Sequence, residues 1–264
     1  DVTSGSRGIE AITFDFGNTL VPVSKAALES VVRATADAAS ARLGPFERDS
    51  FLSIWAEERE RQFREDVPEF REVDISRRSA RVLARLRGTA APANEERWDD
   101  TIAAASSTPD EIAWLIDTYS AAFVDRIPPP PAIRPMLQRL ALTRTVAILS
   151  NWPLAATIDH YSDVAGWSPF LRAIVVSQRV GTIKPRPAIF ELAEELIGAP
   201  GAAILHVGDD WDADIVGAMR AGWRAAYVRG RPSDSPLPSS PRDETVRPDF
   251  ELDDVTDLPA RLDA

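Results

Sequence analysis

Four short polar segments each follow or adjoin an apolar run of strand length, and their side chains are of kinds that do chemistry. The first is Phe14-Asp15-Phe16-Gly17-Asn18-Thr19-Leu20 and the second Leu149-Ser150-Asn151-Trp152. The third is Gly181-Thr182-Ile183-Lys184-Pro185, and the fourth runs His206-Val207-Gly208-Asp209-Asp210-Trp211-Asp212-Ala213-Asp214. An aspartate can attack phosphorus or carbon and form a covalent intermediate. A lysine offers a compact ammonium that holds a carboxylate ionised or neutralises an anion. Serine hydroxyls and backbone amides hydrogen-bond oxygens on which charge develops. Carboxylates crowded together raise one another's pKa values unless a cation joins them. Taken singly, each residue has a plainer explanation: an aspartate forms turns or caps helices, a lysine is solvated, a serine ends a strand.

The surrounding pattern says how these segments are brought together. Ile9–Phe16, Thr145–Leu149, Ala173–Ser177, Ala202–Val207 and Ala225–Val228 read as strands, and helix-length segments separate the last four, as in a parallel sheet. The clearest helix is expected from Pro187 to Ile197, with Ile189, Leu192, Ala193, Leu196 and Ile197 on one face and Gly198 just past its end. In such a sheet ligands bind beyond the carboxyl ends of the strands. All four segments reach that edge, and their convergence is more specific than any one of them. The fold class expected is α/β, a Rossmann-like doubly wound parallel sheet.

Between the first two strands the chain reads as helix only. Ser24 caps one helix, a second carries Phe51, Trp55 and Phe63, and a third carries Val82, Leu83 and Leu86. Thr108-Pro109-Asp110-Glu111 combines an N-cap, proline at N1 and the glutamate of a capping box. The expected organisation is a core of residues 1–20 and 128–264 with an inserted α-helical cap domain over 21–127. Pro128–Pro131 reads as a stiff connector, residues 230–248 as an exposed or mobile loop, and Phe250 and Leu252 as a final edge strand.

Composition narrows the function. The 264 residues include no cysteine, which removes disulfides, thiolate metal sites and a cysteine nucleophile. Two histidines, His160 and His206, leave little for a multi-histidine metal site, and both read as structural. A formal net charge of −11 argues against a nucleic-acid partner. No run approaches the roughly 18 apolar residues that span a bilayer, and the polar start DVTSGSRG lacks the apolar centre of a signal peptide, so a cytoplasmic setting with no membrane partner is expected. Only Lys25 and Lys184 are lysines among 30 basic residues. Arg59, Arg61 and Arg64 read as a solvated helix face balanced by Glu57, Glu58 and Glu60, with a cap arginine reaching an anionic substrate as the sharper alternative. The number of chains in the functional particle is unreadable.

With its four segments in this order, the chain resembles the haloacid dehalogenase-like (HAD) hydrolase superfamily over nearly its whole length. The resemblance implies Asp15 as nucleophile, with Ser150 and Lys184 completing the catalytic set, and Asn151, Thr19 and Trp152 against the substrate. It implies Mg²⁺ as cofactor, held by Asp15, the backbone carbonyl of Gly17, Asp209 and Asp214. The partner implied is a small phosphorylated metabolite. Trp152 and Trp211 flank two of the motifs and are candidates for the entrance.

One position departs from the family pattern. Most family phosphatases carry a second aspartate two residues after the nucleophile, which protonates the leaving oxygen. Here that position is Gly17. Three readings follow. The first is an Mg²⁺-dependent phosphatase working through an aspartyl-phosphate, its proton supplied elsewhere or its leaving group good enough to need none. The second is a 2-haloacid dehalogenase, whose halide leaves unprotonated, although the acidic Asp209 and Asp214 disfavour that branch. The third is a binding or regulatory protein with little turnover. On the first reading, Gly17→Asp should raise activity on poor leaving groups.

Overall fold

The computed structural model describes residues 8–263. Its order begins with β1 (Ala11–Phe14), followed by helices α1 (Lys25–Leu43), α2 (Arg48–Asp66), α3 (Ile75–Leu86), α4 (Asp100–Ala104), α5 (Pro109–Arg126) and α6 (Ile133–Ala141). Then come β2 (Thr145–Ser150), α7 (Ala155–Val164), β3 (Ala173–Val176), α8 (Ser177–Val180) and α9 (Pro187–Ile197). The chain ends with β4 (Ile204–Gly208), α10 (Gly217–Arg220), β5 (Arg224–Val228), β6 (Phe250–Leu252) and α11 (Leu258–Leu262). All strand pairs are parallel, in the order β3-β2-β1-β4-β5-β6. This is the doubly wound sheet the sequence implies. Strand order reverses between β1 and β4, and that switch point opens the crevice where ligands bind in such sheets.

Alternation along the strands sorts side chains onto two faces. On β1, Ile12 and Phe14 enter one core cluster and Ala11 the other. The first cluster runs without a break from the sheet into the helical insertion, through Phe16, Val31, Phe51, Trp55, Leu115 and Phe123. The second packs α9 on the opposite face through Ile189, Phe190 and Ala193. Both faces are therefore covered, which is why the strands are apolar runs.

The capping signals act as expected. Ser24 Oγ accepts from the Ala27 amide, and the Thr108–Glu111 capping box is closed in both directions. Helix α9 spans the expected residues, with Gly198 in the left-handed region at φ 76°. Strand bounds move by one or two residues at most ends because local turns take over: Gly201–Ala203 forms a 3₁₀ turn, and the chain leaves β1 at Asp15. The arginine face on α2 departs from expectation. Arg61 is buried and donates to the carbonyls of Pro92, Ala93 and Glu96, while Glu58 is fully buried against Trp98 and Arg85. The polar start lies in residues 1–7, outside the described residues. No described helix is long and apolar enough to cross a membrane.

Candidate active site

The crevice at the switch point receives Asp15 from the end of β1 and Asp209 from the end of β4. Hydrogen bonding between the strands continues one residue past β1, with the Asp15 amide donating to the Val207 carbonyl at 2.9 Å. After that the chain turns sharply. Asn18 sits in the left-handed region at φ 58°, which asparagine tolerates better than most residues, and its Oδ1 accepts from the Val23 amide at 3.0 Å.

Lys184 is buried among the acids, and all three of its protons are used. Nζ donates to Asp15 Oδ1 at 3.0 Å, to Asp214 Oδ1 at 2.5 Å and to the Leu149 carbonyl at 2.9 Å. Burial alone would lower its pKa, but Asp15 and Asp214 outweigh that and hold it above the usual lysine range. Asn151 fixes the lysine from behind. Its Oδ1 accepts from the Lys184 amide at 2.8 Å and its Nδ2 donates to the Lys184 carbonyl at 3.0 Å. The Asn151 side chain thus clamps the third motif to the second.

Asp214 reaches the lysine through a π-helical turn, Trp211–Val216, that Asp210 caps by accepting from the Ala213 amide at 2.9 Å. Wide turns of this kind are frequent at functional sites. Gly208 makes room for it, since a Cβ there would lie 2.2 Å from the Asp214 carboxyl. Asp214 Oδ1 also accepts from His206 Nε2 at 3.0 Å, and Oδ2 accepts from the Asp210 amide at 2.9 Å. The other imidazole nitrogen faces Thr13 Oγ1 at 2.7 Å. Burial and Lys184 keep the pKa of His206 low, so a neutral ring donates from Nε2 and accepts at Nδ1. Burial would raise Asp214, yet Lys184 and His206 hold it well below the carboxylate range. The histidine is thus structural, as expected, and it orients the aspartate that holds the lysine.

The other two acids are strained by their charge. Burial pushes Asp15 up to about 6 despite Lys184, and burial with Asp15 and Asp214 pushes Asp209 up to about 8. Oxygens of Asp15, Asp209 and Asp214 lie within 4.8 Å of one another. This all-oxygen donor set has unmet negative charge and fits a hard divalent cation such as Mg²⁺. Asp214 already accepts three hydrogen bonds, two at Oδ1 and one at Oδ2, whereas among the described residues Asp209 accepts two, from Thr19 Oγ1 at 3.3 Å and Arg231 Nη1 at 3.1 Å. Ser150 Oγ is buried with no hydrogen-bond partner among the described residues, yet close enough to favour the charged form of Asp15.

A model of haloacid dehalogenase-like hydrolases matches residues 9–222. The chain belongs to this family. It is 29% identical over 256 residues to a glyceraldehyde 3-phosphate phosphatase of Methanopyrus kandleri, covering 95% of each chain. It is 33% identical over 130 residues to N-acylneuraminate-9-phosphatase of Rattus norvegicus, across 49% of this chain and 50% of that one. Among solved structures, 2-haloacid dehalogenase from Pseudomonas syringae superposes with a TM-score of 0.67 at 23% identity, covering 97% of this chain and 98% of that one. That last likeness is one of fold. The enzyme is accordingly a HAD-like hydrolase.

Several groups at the HAD crevice lie outside the four motifs. The 230–248 segment is irregular, as expected, but part of it packs onto the site. Arg231 pairs with Asp209, Ser235 Oγ accepts from Asn18 Nδ2 at 2.9 Å, and Ser240 binds Asp210 through its amide and hydroxyl. Leu237 from the same segment fills the space beside Gly17, where an added Cβ would lie 2.6 Å from Leu237 Cδ1 and 2.8 Å from Trp152 Cζ3. Trp152 is packed edge-on against Phe16 and Phe123 and lines the cavity. Trp211 is no entrance residue: it is 2% exposed, held between Tyr227 and Arg242 in the second core cluster.

Proposed function

We propose that this HAD-like hydrolase is an Mg²⁺-dependent phosphatase of a small phosphorylated metabolite. The observation that carries the reading is the gathering of Asp15, Asp209 and Asp214 within 4.8 Å of one another against only two cations, Lys184 and Arg231, among the described residues. The charge left over suits a divalent cation, and halide displacement has no use for one. Asp15, Asp209 and the Gly17 carbonyl would hold Mg²⁺, with Asp214 acting directly or one step behind. When bound, the ion would offset the repulsion between a carboxylate and a phosphate dianion.

The chain's own residues divide the remaining work. An Asp15 oxygen attacks phosphorus, the bond from phosphorus to the ester oxygen breaks, and water later cleaves the aspartyl-phosphate. Lys184 holds Asp15 ionised and aimed. The free hydroxyl of Ser150 and the backbone amide of Asn151 would donate to the transferring oxygens. Thr19 orients Asp209, and Trp152 forms part of the wall. Residues 21–127 would act as a cap that closes the site to water and selects the substrate. Position 17 offers no proton and is shut in by Leu237 and Trp152. The reading therefore favours a substrate whose leaving oxygen departs without a proton from there.

The test is a panel of aryl and alkyl phosphates assayed for phosphate release with and without Mg²⁺, beside Asp15→Asn. Turnover that survives Asp15→Asn, or that ignores chelator, would sink the mechanism. Chloride release from 2-chloropropionate without metal would replace it with the dehalogenase reading.

A further inference from the structure

A cavity of about 730 Å³ runs from Asp15 and Lys184 into the helical insertion, where Leu28, Val32, Leu52 and Phe63 line it. Two polar side chains on this wall have, among the described residues, no hydrogen-bond partner for their outermost polar atoms. Arg78 is 4% exposed. Its Nε donates to Gln62 Oε1 at 3.0 Å and its guanidinium lies 5.2 Å from the Trp55 ring centroid, but among the described residues nothing accepts from its two Nη groups. Tyr119 is equally buried and stacks on the same Trp55 ring, centroids 5.8 Å apart and planes at 22°, and its hydroxyl has no hydrogen-bond partner among the described residues.

The neighbours of Arg78 make its lack of an ion pair informative. Helix α3 also carries Arg77, Arg81 and Arg85, which pair with Asp66, with Glu65 and Asp100, and with Glu57 and Glu58. Arg78 lines the cavity and, alone among them, makes no ion pair with a described carboxylate, although Glu72 and Asp74 lie near enough to favour its charge. The nearby Glu72 is engaged elsewhere, accepting from Ser177 Oγ at 2.7 Å and the Val73 amide at 3.0 Å. A buried guanidinium without an anion is costly, and its planar fork matches a carboxylate in two parallel hydrogen bonds. Tyr119 would give a third donor. A phosphate dianion would call for a second free cation, and the others on this part of the wall have carboxylates: Arg59 is held by Glu60 at 2.9 Å and the Pro236 carbonyl at 3.5 Å, and Lys25 and Arg33 both face Glu29.

We propose that Arg78 and Tyr119 form a carboxylate-binding subsite, so that the substrate carries a phosphoryl group at one end, an apolar stem and a carboxylate at the other. The phosphoryl half of this statement rests on the proposed function; the carboxylate half does not. Two arms separate them.

In the first, the full chain with Mg²⁺ hydrolyses ω-phosphooxy carboxylates of two to six carbons and alkyl phosphates of equal length. One chain length should show kcat/KM at least ten-fold above its alkyl partner, and Arg78→Met should bring that ratio close to one. In the second, Asp15→Asn is titrated with hexanoate and with hexanol, followed by calorimetry. Hexanoate should bind at least ten-fold tighter, and Tyr119→Phe or Arg78→Met on that background should shrink the difference. Equal binding of acid and alcohol overturns the subsite, as does phosphate turnover with no carboxylate preference at any length. Selective hexanoate binding without turnover of any phosphate, p-nitrophenyl phosphate included, keeps the subsite and sinks the phosphatase. If Arg78→Met fails to fold, Tyr119→Phe and the wild-type ratio decide.

Discussion

Gly17→Asp would give this enzyme the carboxylate that the family pattern places two residues after the nucleophile. Sequence reasoning alone expects a gain on poor leaving groups, and the packing redirects that expectation. The new Cβ would meet Leu237 Cδ1 at 2.6 Å and Trp152 Cζ3 at 2.8 Å, both closer than real Cβ contacts come. Leu237 is partly exposed on an irregular segment and can yield. Trp152 is 3% exposed and pinned by Phe16 and Phe123, with ring centroids 5.1 Å and 5.5 Å away, and cannot. Overpacking of this kind costs about 1–3 kcal/mol. At about 2–4 °C per kcal/mol for a domain of this size, the melting temperature of Gly17→Asp should fall by roughly 2–12 °C. Leu237→Ala removes one of the two obstructions, so the double variant should regain part of that loss, a coupling measurable in a double-mutant cycle. The kinetic readout is the ratio of kcat/KM for propyl phosphate to that for p-nitrophenyl phosphate. It should rise in the double variant and stay flat in Gly17→Asp alone. A single variant as stable as the parent, with an improved ratio, would refute the placement of Leu237 against Gly17.

Other changes probe the charge network and the covering segment. Lys184→Met leaves Asp15 and Asp214 without their buried cation, and loss of one partner of such a pair costs about 3–5 kcal/mol, read as a lower urea midpoint. Arg231→Ala frees Asp209 and removes a positive charge beside it, so Mg²⁺ should bind several-fold tighter in a thermal-shift titration; unchanged affinity would mean Arg231 does not compete for that carboxylate. Burial pushes Glu72 up to about 7 from an ordinary 4.5. A raised acid stabilises the fold fully below its unfolded value and loses that contribution as pH rises through the folded one. Parent stability should therefore fall by about 3 kcal/mol between about pH 4.5 and 7.5, and Glu72→Gln should flatten this part of the curve in denaturant titrations.

The parts of the site that could be read from sequence are those that local rules confine. A doubly wound sheet must present its strand ends at one edge, so Asp15, Ser150 and Asp209 are brought near by topology alone, and Lys184 follows because its motif leads into α9. The same locality makes the Ser24 and Thr108 caps readable, since each acts within three residues. What stayed hidden depends on long-range packing. Arg231 meets Asp209 and Ser235 meets Asn18 across 22 and 217 residues, and no pattern in a Pro- and Ser-rich stretch says where it will lie. Arg78 was hidden for a different reason. On α3 it looks like its neighbours, and only the completed network shows three arginines with carboxylates and one without. The glycine at position 17 joins both cases. From sequence it is an absence, a missing acid. In the fold it is a place already taken by Leu237 and Trp152, so the missing acid and the covering segment meet at one position in the site. Restoring the acid therefore requires altering the segment as well, and the double variant is the test of whether the two are linked.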